Sequence, residues 1–191
     1  MARVHFTVRK HLPLPGRIAY EELVDWRGHA EWVPMTRVVI EAGDGGAGTT
    51  FVATTGLGPL ALPDRMRVES MDADARTVTV VKIGPVLTGE VRLAVESVGD
   101  TACTVLWDED IRVPLLPGFL SKPVGAIARK AFEVSLDRMA KHARTRGAAR
   151  AASSRCGSLR ARHPSRRRAQ VLRPGAAGPR AAVRQADSRA A

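Results

Sequence analysis

The segment from Thr36 to Val113 repeats one pattern six times, a short apolar or β-branched run followed by a turn signal. The turn signals are rich in Gly, Asp and Pro, which favour the backbone angles of tight turns. Strands joined by short turns pair antiparallel, so the sequence predicts a six-stranded antiparallel meander. The six runs are TRVVIEA, TTFVATT, LPDRMRVESM, TVTVVKI, EVRLAVESV and ACTVLWDEDIRV.

The residues before the meander predict one more strand and two short helices. In ARVHFTVRKHL, apolar side chains alternate at Val4, Phe6 and Val8, which is typical of a strand with one buried face. GRIAYEELVDW changes to helical spacing. A second short helix is predicted over 28–32, ending at Pro34 because proline cannot continue a helix.

The segment LSKPVGAIARKAFEVSLDRMAKHAR predicts the longest helix of the chain. Its apolar residues recur every three or four positions, whereas Glu133, Asp137 and Lys141 lie on the other side. The predicted apolar stripe consists of Leu120, Val124, Ile127, Ala131, Ser135 and Met139, widened by Phe132 and Leu136.

Together these elements predict an α+β fold, a seven-stranded antiparallel sheet wrapped around the long C-terminal helix. A curved sheet has a concave face that needs apolar cover, and only this helix has enough apolar surface. A sheet wrapped around a helix leaves a cavity between the two, and such cavities are usual sites for small molecules.

The net charge of +11 is confined to the C-terminal tail. From Arg146 onward there are 12 of the 30 basic residues and one of the 19 acidic residues, so residues 1–145 contain 18 of each. The tail also lacks Phe, Trp, Tyr, Ile and Met, and has little to bury. We therefore predict a ligand-binding domain over 1–146 and a disordered Arg/Ala-rich tail over 147–191.

The tail has three interpretations. It could bind nucleic acid or anionic lipid through the RRR run at 166–168, although no aromatic residue is present to stack on bases. It could be a plain disordered extension. It could also come from an extended or out-of-frame gene end, because Arg, Ala, Gly and Pro share G+C-rich codons.

The remaining composition favours a soluble cytoplasmic protein. The N-terminal MARVHFTVRK has no apolar core of a secretory signal, and no apolar run approaches the ~20 residues of a membrane span. Cys103 lies in a strand-like run and Cys156 in the tail, so a bridge between them is not expected. The Cys and His spacing also predicts no metal site.

The order of elements resembles the SRPBCC (START-like) superfamily, and in particular its bacterial polyketide cyclase/dehydrase-like members. The local motifs DWRGHAEWVP, GDGGAGTTF, GLGPLALPDRMRVESMD, VVKIGPVLTGEVRLAVE and VLWDEDIRVP carry this resemblance over residues 2 to about 146. It implies a helix-grip fold with an internal cavity. Because such proteins include lipid carriers, hormone receptors and aromatase/cyclases, the resemblance implies no single activity.

In such a fold, DWRGHAEWVPMT would close one end of the cavity. Trp26 and Trp32 then pack in the core or at the pocket rim, with direct ligand contact as the alternative. His29 has no second ligand at metal spacing, and we interpret it as a helix-start or surface residue, with proton chemistry as the alternative.

Strand alternation places two carboxylates on the inner face. In ACTVLWDEDIRV that face is apolar except for Glu109, and in LALPDRMRV it is apolar except for Asp64. A carboxylate buried in a cavity shifts toward its neutral form and can act as a general acid or base. The alternative is a structural ion pair, for which Arg65, Arg67 and Lys82 are candidates for Glu109.

The sequence therefore predicts binding of an apolar or aromatic small molecule, lipid or polyketide-like, without a metal or other cofactor. The alternative is a polyketide cyclase/dehydratase that uses Glu109 or Asp64 as acid/base. A third hypothesis is a domain whose tail recruits nucleic acid, and the neutral body disfavours it. The sequence does not indicate an oligomeric state. The predicted ligand-binding residues are Trp32, Phe51, Met66, Trp107, Phe132 and Met139.

Overall fold

The fold consists of seven strands and three helices in a computed structural model that describes residues 2–114 and 116–160. The strands are β1 (Ala2–Leu12), β2 (Thr36–Ala42), β3 (Thr50–Thr55), β4 (Leu62–Asp72), β5 (Thr77–Ile83), β6 (Thr88–Val98) and β7 (Ala102–Val113). The helices are α1 (Gly16–Val24), α2 (His29–Trp32) and α3 (Ser121–Arg160), with 3₁₀ turns at Gly58–Leu60 and Gly118–Leu120.

The strands form one antiparallel sheet in the order β1-β7-β6-β5-β4-β3-β2. The six predicted runs form the six consecutive strands of the meander, β2 to β7. Strand β7, the last of them, pairs with β1 along the whole length of β1, from Ala2–Val113 to Leu12–Cys103. Register irregularities occur in β2 between Ile40 and Ala42 and in β4 between Val68 and Ser70. The predicted α+β helix-grip architecture is confirmed.

The core lies between the inner face of the sheet and α3. Alternate residues of β1 are buried, including Val4 and Val8 at 1% exposure, whereas the residues between them face solvent. From α3, Leu136 and Met139 are completely buried against this face. The buried face of β1, formed by every second residue, therefore packs against the side of α3 on which apolar residues recur every three or four positions.

The start of α3 is rotated relative to the predicted apolar stripe. Ile127, predicted to face inward, is 71% exposed, and Ala131 is also exposed. The helix instead approaches β1 through Gly125, where an added Cβ would lie 3.4 Å from Val4 Cγ1. Ile127 is two residues, about 200°, around the helix from that contact, so it must point to solvent.

Helix α3 also continues past the predicted domain boundary at residue 146. It remains helical to Arg160, and Arg146 Nη1 lies 3.4 Å from Glu22 Oε1 on α1 and 4.0 Å from Asp25 Oδ2. Residues 161–191, the rest of the predicted tail, lie outside the described residues. The two-part division of the chain stays a prediction.

Candidate functional site

A cavity of about 120 Å³ lies between α2, the inner face of β2 to β7 and α3. Its polar lining consists of His29, Thr36, Thr55, Asp64, Lys82 and Glu109. Its apolar lining consists of Trp26, Val33, Phe51, Ala53, Met66, Val80, Val91, Leu93, Trp107 and Phe132. A mostly apolar wall with a few convergent polar groups is the usual composition of a small-molecule site.

Aromatic rings close the α2 end of the cavity. Trp26 stacks on Phe51 with ring centroids 4.9 Å apart, and its Nε1 donates to Gly45 O at 2.7 Å. The ring of His29 packs 5.6 Å from Trp26 and 4.5 Å from Trp32. The three-residue spacing of these residues across the turn into α2 brings the rings together on one side.

His29 is held neutral by this packing. Its Nε2 donates to Leu23 O at 2.8 Å, which assigns the tautomer. Burial lowers the pKa of His29 to about 4, although the Leu23 carbonyl and Asp25 act in the opposite direction. His29 begins α2 as predicted, but its ring is part of the cavity wall rather than of the surface.

Three charged side chains meet on the sheet wall of the cavity, and we call them the acid–lysine cluster: Asp64 on β4, Lys82 on β5 and Glu109 on β7. Lys82 Nζ bonds to Asp64 Oδ2 and lies 3.2 Å from Glu109 Oε1. Trp107 Nε1 donates to Glu109 Oε2 at 3.1 Å. The three residues are only 9%, 7% and 3% exposed, so the charges are almost completely removed from water.

Lys82 is an ammonium in this setting. Burial alone would lower the pKa of Lys82, but the two carboxylates more than offset that effect and the net change is upward. A protonated amine has no lone pair, so Lys82 can donate hydrogen bonds and neutralise charge but cannot act as a nucleophile.

Asp64 is the carboxyl group of the cluster with a raised pKa. Burial raises the pKa of Asp64, Lys82 lowers it, and the neighbouring Glu109 raises it again, with a net upward change. Two carboxylates here face one ammonium. The excess negative charge favours uptake of a proton or contact with a hydrogen-bond donor at Asp64.

The two oxygens of Asp64 have different surroundings. Oδ2 is bonded to Lys82, whereas the buried Oδ1 has no hydrogen-bond partner among residues 2–114 and 116–160. A buried acceptor without a partner costs roughly 1–3 kcal/mol. Asp64 is also one of the residues that line the cavity, so this unsatisfied carboxyl group lies in the cavity wall.

The cavity reaches the surface at the end of the β2–β3 pair, where Thr36 is paired with Thr55. Thr36 and Thr55 both line it, their Oγ1 atoms are 2.8 Å apart, and Thr55 is exposed. Just outside lie Met35 and Leu57, which are 61% and 71% exposed. Met35 has a φ of +52°, the left-handed region that non-glycine residues seldom adopt. Two threonine hydroxyls therefore line the mouth, and exposed apolar side chains lie close to it.

Four of the six predicted ligand-binding residues line this cavity, namely Phe51, Met66, Trp107 and Phe132. The other two do not. Trp32 and Met139 are 1% and 0% exposed within the packed core. Met139 lies about 10 Å further along α3 than Phe132, beyond the end of the cavity. Whether the four lining residues bind a ligand stays a prediction.

Both predicted carboxylates face the cavity, and Lys82 connects them. Lys82 was predicted as a candidate ion-pair partner for Glu109, but not as a residue of the functional site. The signal was present, because Val78, Val80 and Lys82 alternate on the buried face of β5. Trp26 was predicted as a core or pocket-rim residue. His29 was missed as a lining residue, because a helix as short as α2 gives too few residues for a period.

Within the described part of the chain, no three His, Cys, Asp or Glu side chains form a group that could hold a metal ion. In the acid–lysine cluster, the Lys82 ammonium occupies the position between two carboxylates that a cation would take. No helix among the described residues is long and apolar enough to cross a membrane.

Comparisons with solved structures find the same fold. The aromatase/cyclase Zhui from Streptomyces sp. R1128 has a TM-score of 0.63 and 14% identity over 75% of this chain and 95% of its own. A START superfamily protein from Mycobacterium smegmatis has a TM-score of 0.64 and 12% identity over 72% and 97%. A norcoclaurine synthase mutant from Thalictrum flavum, in complex with a transition-state analogue, has a TM-score of 0.55 and 15% identity over 74% and 96%.

At these identities the likeness concerns the fold alone. A search of curated protein sequences gave no match. Residues 3–144, however, match the family described as polyketide cyclase / dehydrase and lipid transport. That match covers the sheet, the cavity and most of α3. The chain therefore belongs to this family, and it has the START-like helix-grip fold that the sequence predicts.

Proposed function

We propose that the protein binds an apolar or aromatic small molecule, lipid or polyketide-like, in the cavity between the sheet and α3. The observation that carries the proposal is the cavity itself, about 120 Å³ with ten apolar lining side chains and an opening at Thr55. A site with this lining gains affinity mainly by removing apolar ligand surface from water.

Size and shape favour one ring of a ligand in the interior. An engineered apolar cavity of ~150 Å³ holds a benzene molecule, so this one accommodates about one six-membered ring. Trp26 stacked on Phe51 forms one wall, and Trp107 packed 4.4 Å from Phe132 forms another. A larger ligand would extend through the mouth, where Met35 and Leu57 offer apolar contact.

Native mass spectrometry of the full chain, with solvent extraction of co-purifying molecules, tests the proposal. A stoichiometric apolar guest is expected. Ala53→Leu fills the cavity wall from β3 and should abolish binding, whereas Ala94→Leu on the outer face of β6 should leave it unchanged. A protein that carries no guest and binds none of a panel of fatty acids, flavonoids and polyketides would contradict the proposal.

A second candidate function is catalysis, as a cyclase or dehydratase acting on a polyketide-like substrate. It is favoured by the acid–lysine cluster, since Asp64 with a raised pKa and Glu109 beside it could serve as acid/base. The similarity to an aromatase/cyclase fold is compatible with this candidate.

Glu109→Gln separates the two functions. If the protein is an enzyme, turnover should fall by ~10²–10⁴-fold, the usual contribution of a general acid or base, with ligand affinity retained. A protein that only binds has no turnover to lose.

Nucleic-acid binding through the tail stays a separate prediction, and salt-sensitive DNA retention that vanishes without residues 147–191 would support it.

A further inference from the structure

The unpartnered oxygen of Asp64 indicates which polar group a ligand carries. Oδ1 is buried and accepts no hydrogen bond from residues 2–114 or 116–160, and Asp64 is one of the residues that line the cavity. The other heteroatoms of the acid–lysine cluster are engaged: Asp64 Oδ2 and Glu109 Oε1 by Lys82, and Glu109 Oε2 by Trp107. Of the four carboxylate oxygens in the cluster, Asp64 Oδ1 is therefore the one that accepts no hydrogen bond from the described residues.

The charge of the cluster indicates what the ligand lacks. Asp64 and Glu109 together place two carboxylates around the single ammonium of Lys82. A ligand carboxylate would add a third negative charge in a site largely removed from water, where repulsion is poorly screened. The cavity wall thus disfavours free carboxylic acids at neutral pH.

We propose that this cavity selects a neutral apolar ligand with a phenolic or other hydroxyl group, which donates a hydrogen bond to Asp64 Oδ1, and that it rejects the corresponding carboxylate. The inference rests on the proposed binding function and deepens it. The ring lies between the Trp26–Phe51 and Trp107–Phe132 walls, and the hydroxyl points to the sheet. Asp64 is the specificity-determining residue.

Three probes of similar size test this selection by isothermal titration calorimetry on the full chain: phenol, toluene and benzoate. Phenol and toluene differ only in a hydroxyl or methyl on the same ring, so toluene reports the apolar cavity and phenol adds the hydroxyl. Wild-type protein is expected to bind phenol and toluene, and benzoate at least 10-fold more weakly than phenol.

Asp64→Leu removes the acceptor and leaves Lys82 paired with Glu109, so the remaining pair stays neutral. It should change the ratio of phenol to toluene affinity by about 10–100-fold in favour of toluene, the size of a hydrogen bond to a charged group. Asp64→Asn keeps an acceptor but removes one charge, so the discrimination against benzoate should fall. Ala94→Leu, on the outer face of β6 and away from the cavity, should alter neither ratio.

The outcomes separate this inference from the proposed function. Binding of toluene and phenol with a ratio unchanged in Asp64→Leu would overturn the role of Asp64 and leave the cavity a binding site. Benzoate that binds as tightly as phenol to wild-type protein would also overturn it. If none of the three probes binds, this inference fails, whereas the proposed function fails only if native mass spectrometry and the larger panel also give no ligand. Should Asp64→Leu not fold, the benzoate-to-phenol ratio of Asp64→Asn decides alone.

Discussion

The inner face of the sheet has two halves with opposite chemistry. The packed half, beneath α1 and the middle of α3, consists of the strand residues Leu12, Cys103 and Val105, which Leu136 and Met139 of α3 cover, and all five are 0–1% exposed. The cavity half, beside α2, buries Asp64, Lys82 and Glu109 around an open space. Strand β7 contributes to both halves, with Val105 in the first and Glu109 in the second.

The difference separates stability from ligand recognition. Complete burial of an apolar side chain contributes about 1.5–3 kcal/mol to folding. A buried ion pair often contributes nothing net, because the cost of removing charges from water offsets their attraction. The packed half therefore stabilises the fold. The cavity half tolerates a costly cluster, which is the expected signature of a site kept for binding.

The largest expected effect comes from breaking the cluster. Lys82→Met leaves two buried carboxylates without a cation and should lower the free energy of unfolding by about 3–5 kcal/mol at pH 7. Urea unfolding followed by circular dichroism measures it. The triple variant Asp64→Leu, Lys82→Met, Glu109→Leu should recover that loss, because no charge remains buried. A single variant as stable as wild type would show that the cluster is hydrated.

Deleting apolar volume should have different effects in the two halves. Met139→Ala in the packed half should cost about 3 kcal/mol, since it creates a void, and should leave phenol affinity unchanged. Met66→Ala should cost about 1 kcal/mol, because part of its surface already faces the cavity. Equal losses from both variants, measured by urea unfolding, would contradict the division into two halves.

Acid should destabilise the cavity half through His29. Because the pKa of His29 is lowered to about 4 in the folded protein, the unfolded chain binds a proton first, near pH 6.5. Stability should thus decrease by about 2–3 kcal/mol as pH falls from 6.5 to 4.

The matched variant His29→Gln isolates this effect. Asp25 also acts on this pH dependence, because its charge favours the protonated form of His29. Asp64, whose pKa is raised, changes the free energy of unfolding with the opposite sign, because the folded state gains a proton there on acidification. Subtracting the pH dependence of His29→Gln from that of wild type leaves the contribution of His29 alone. An unchanged slope in the variant would contradict the burial of a neutral His29.

The smallest expected effect is at the mouth. Thr36→Val removes the hydrogen bond between the Oγ1 atoms of Thr36 and Thr55, and should cost about 1 kcal/mol or less because the site is partly exposed. It should alter the rate of ligand entry more than the affinity. Stopped-flow fluorescence of the cavity tryptophans Trp26 and Trp107 measures that rate, and an affinity loss above 10-fold would show that the threonines bind the ligand.

The strands were predictable because period-two alternation and turn residues are local signals. The same alternation placed Asp64 and Glu109 on the inner face without any knowledge of the sheet. The rotation of α3 was not predictable in this way, since it depends on Gly125 touching Val4 in a distant strand. Nor was the role of Met139, because its spacing suits the apolar stripe equally well in a packed core or in a cavity wall.

The length of α3 has a mechanical consequence. Arg146 is the furthest residue along the helix with a described ion pair to the body, and the helix continues to Arg160. At 1.5 Å per residue, those 14 further residues extend about 21 Å. A dye or tag attached near Arg160 would thus be held about two nanometres from that contact.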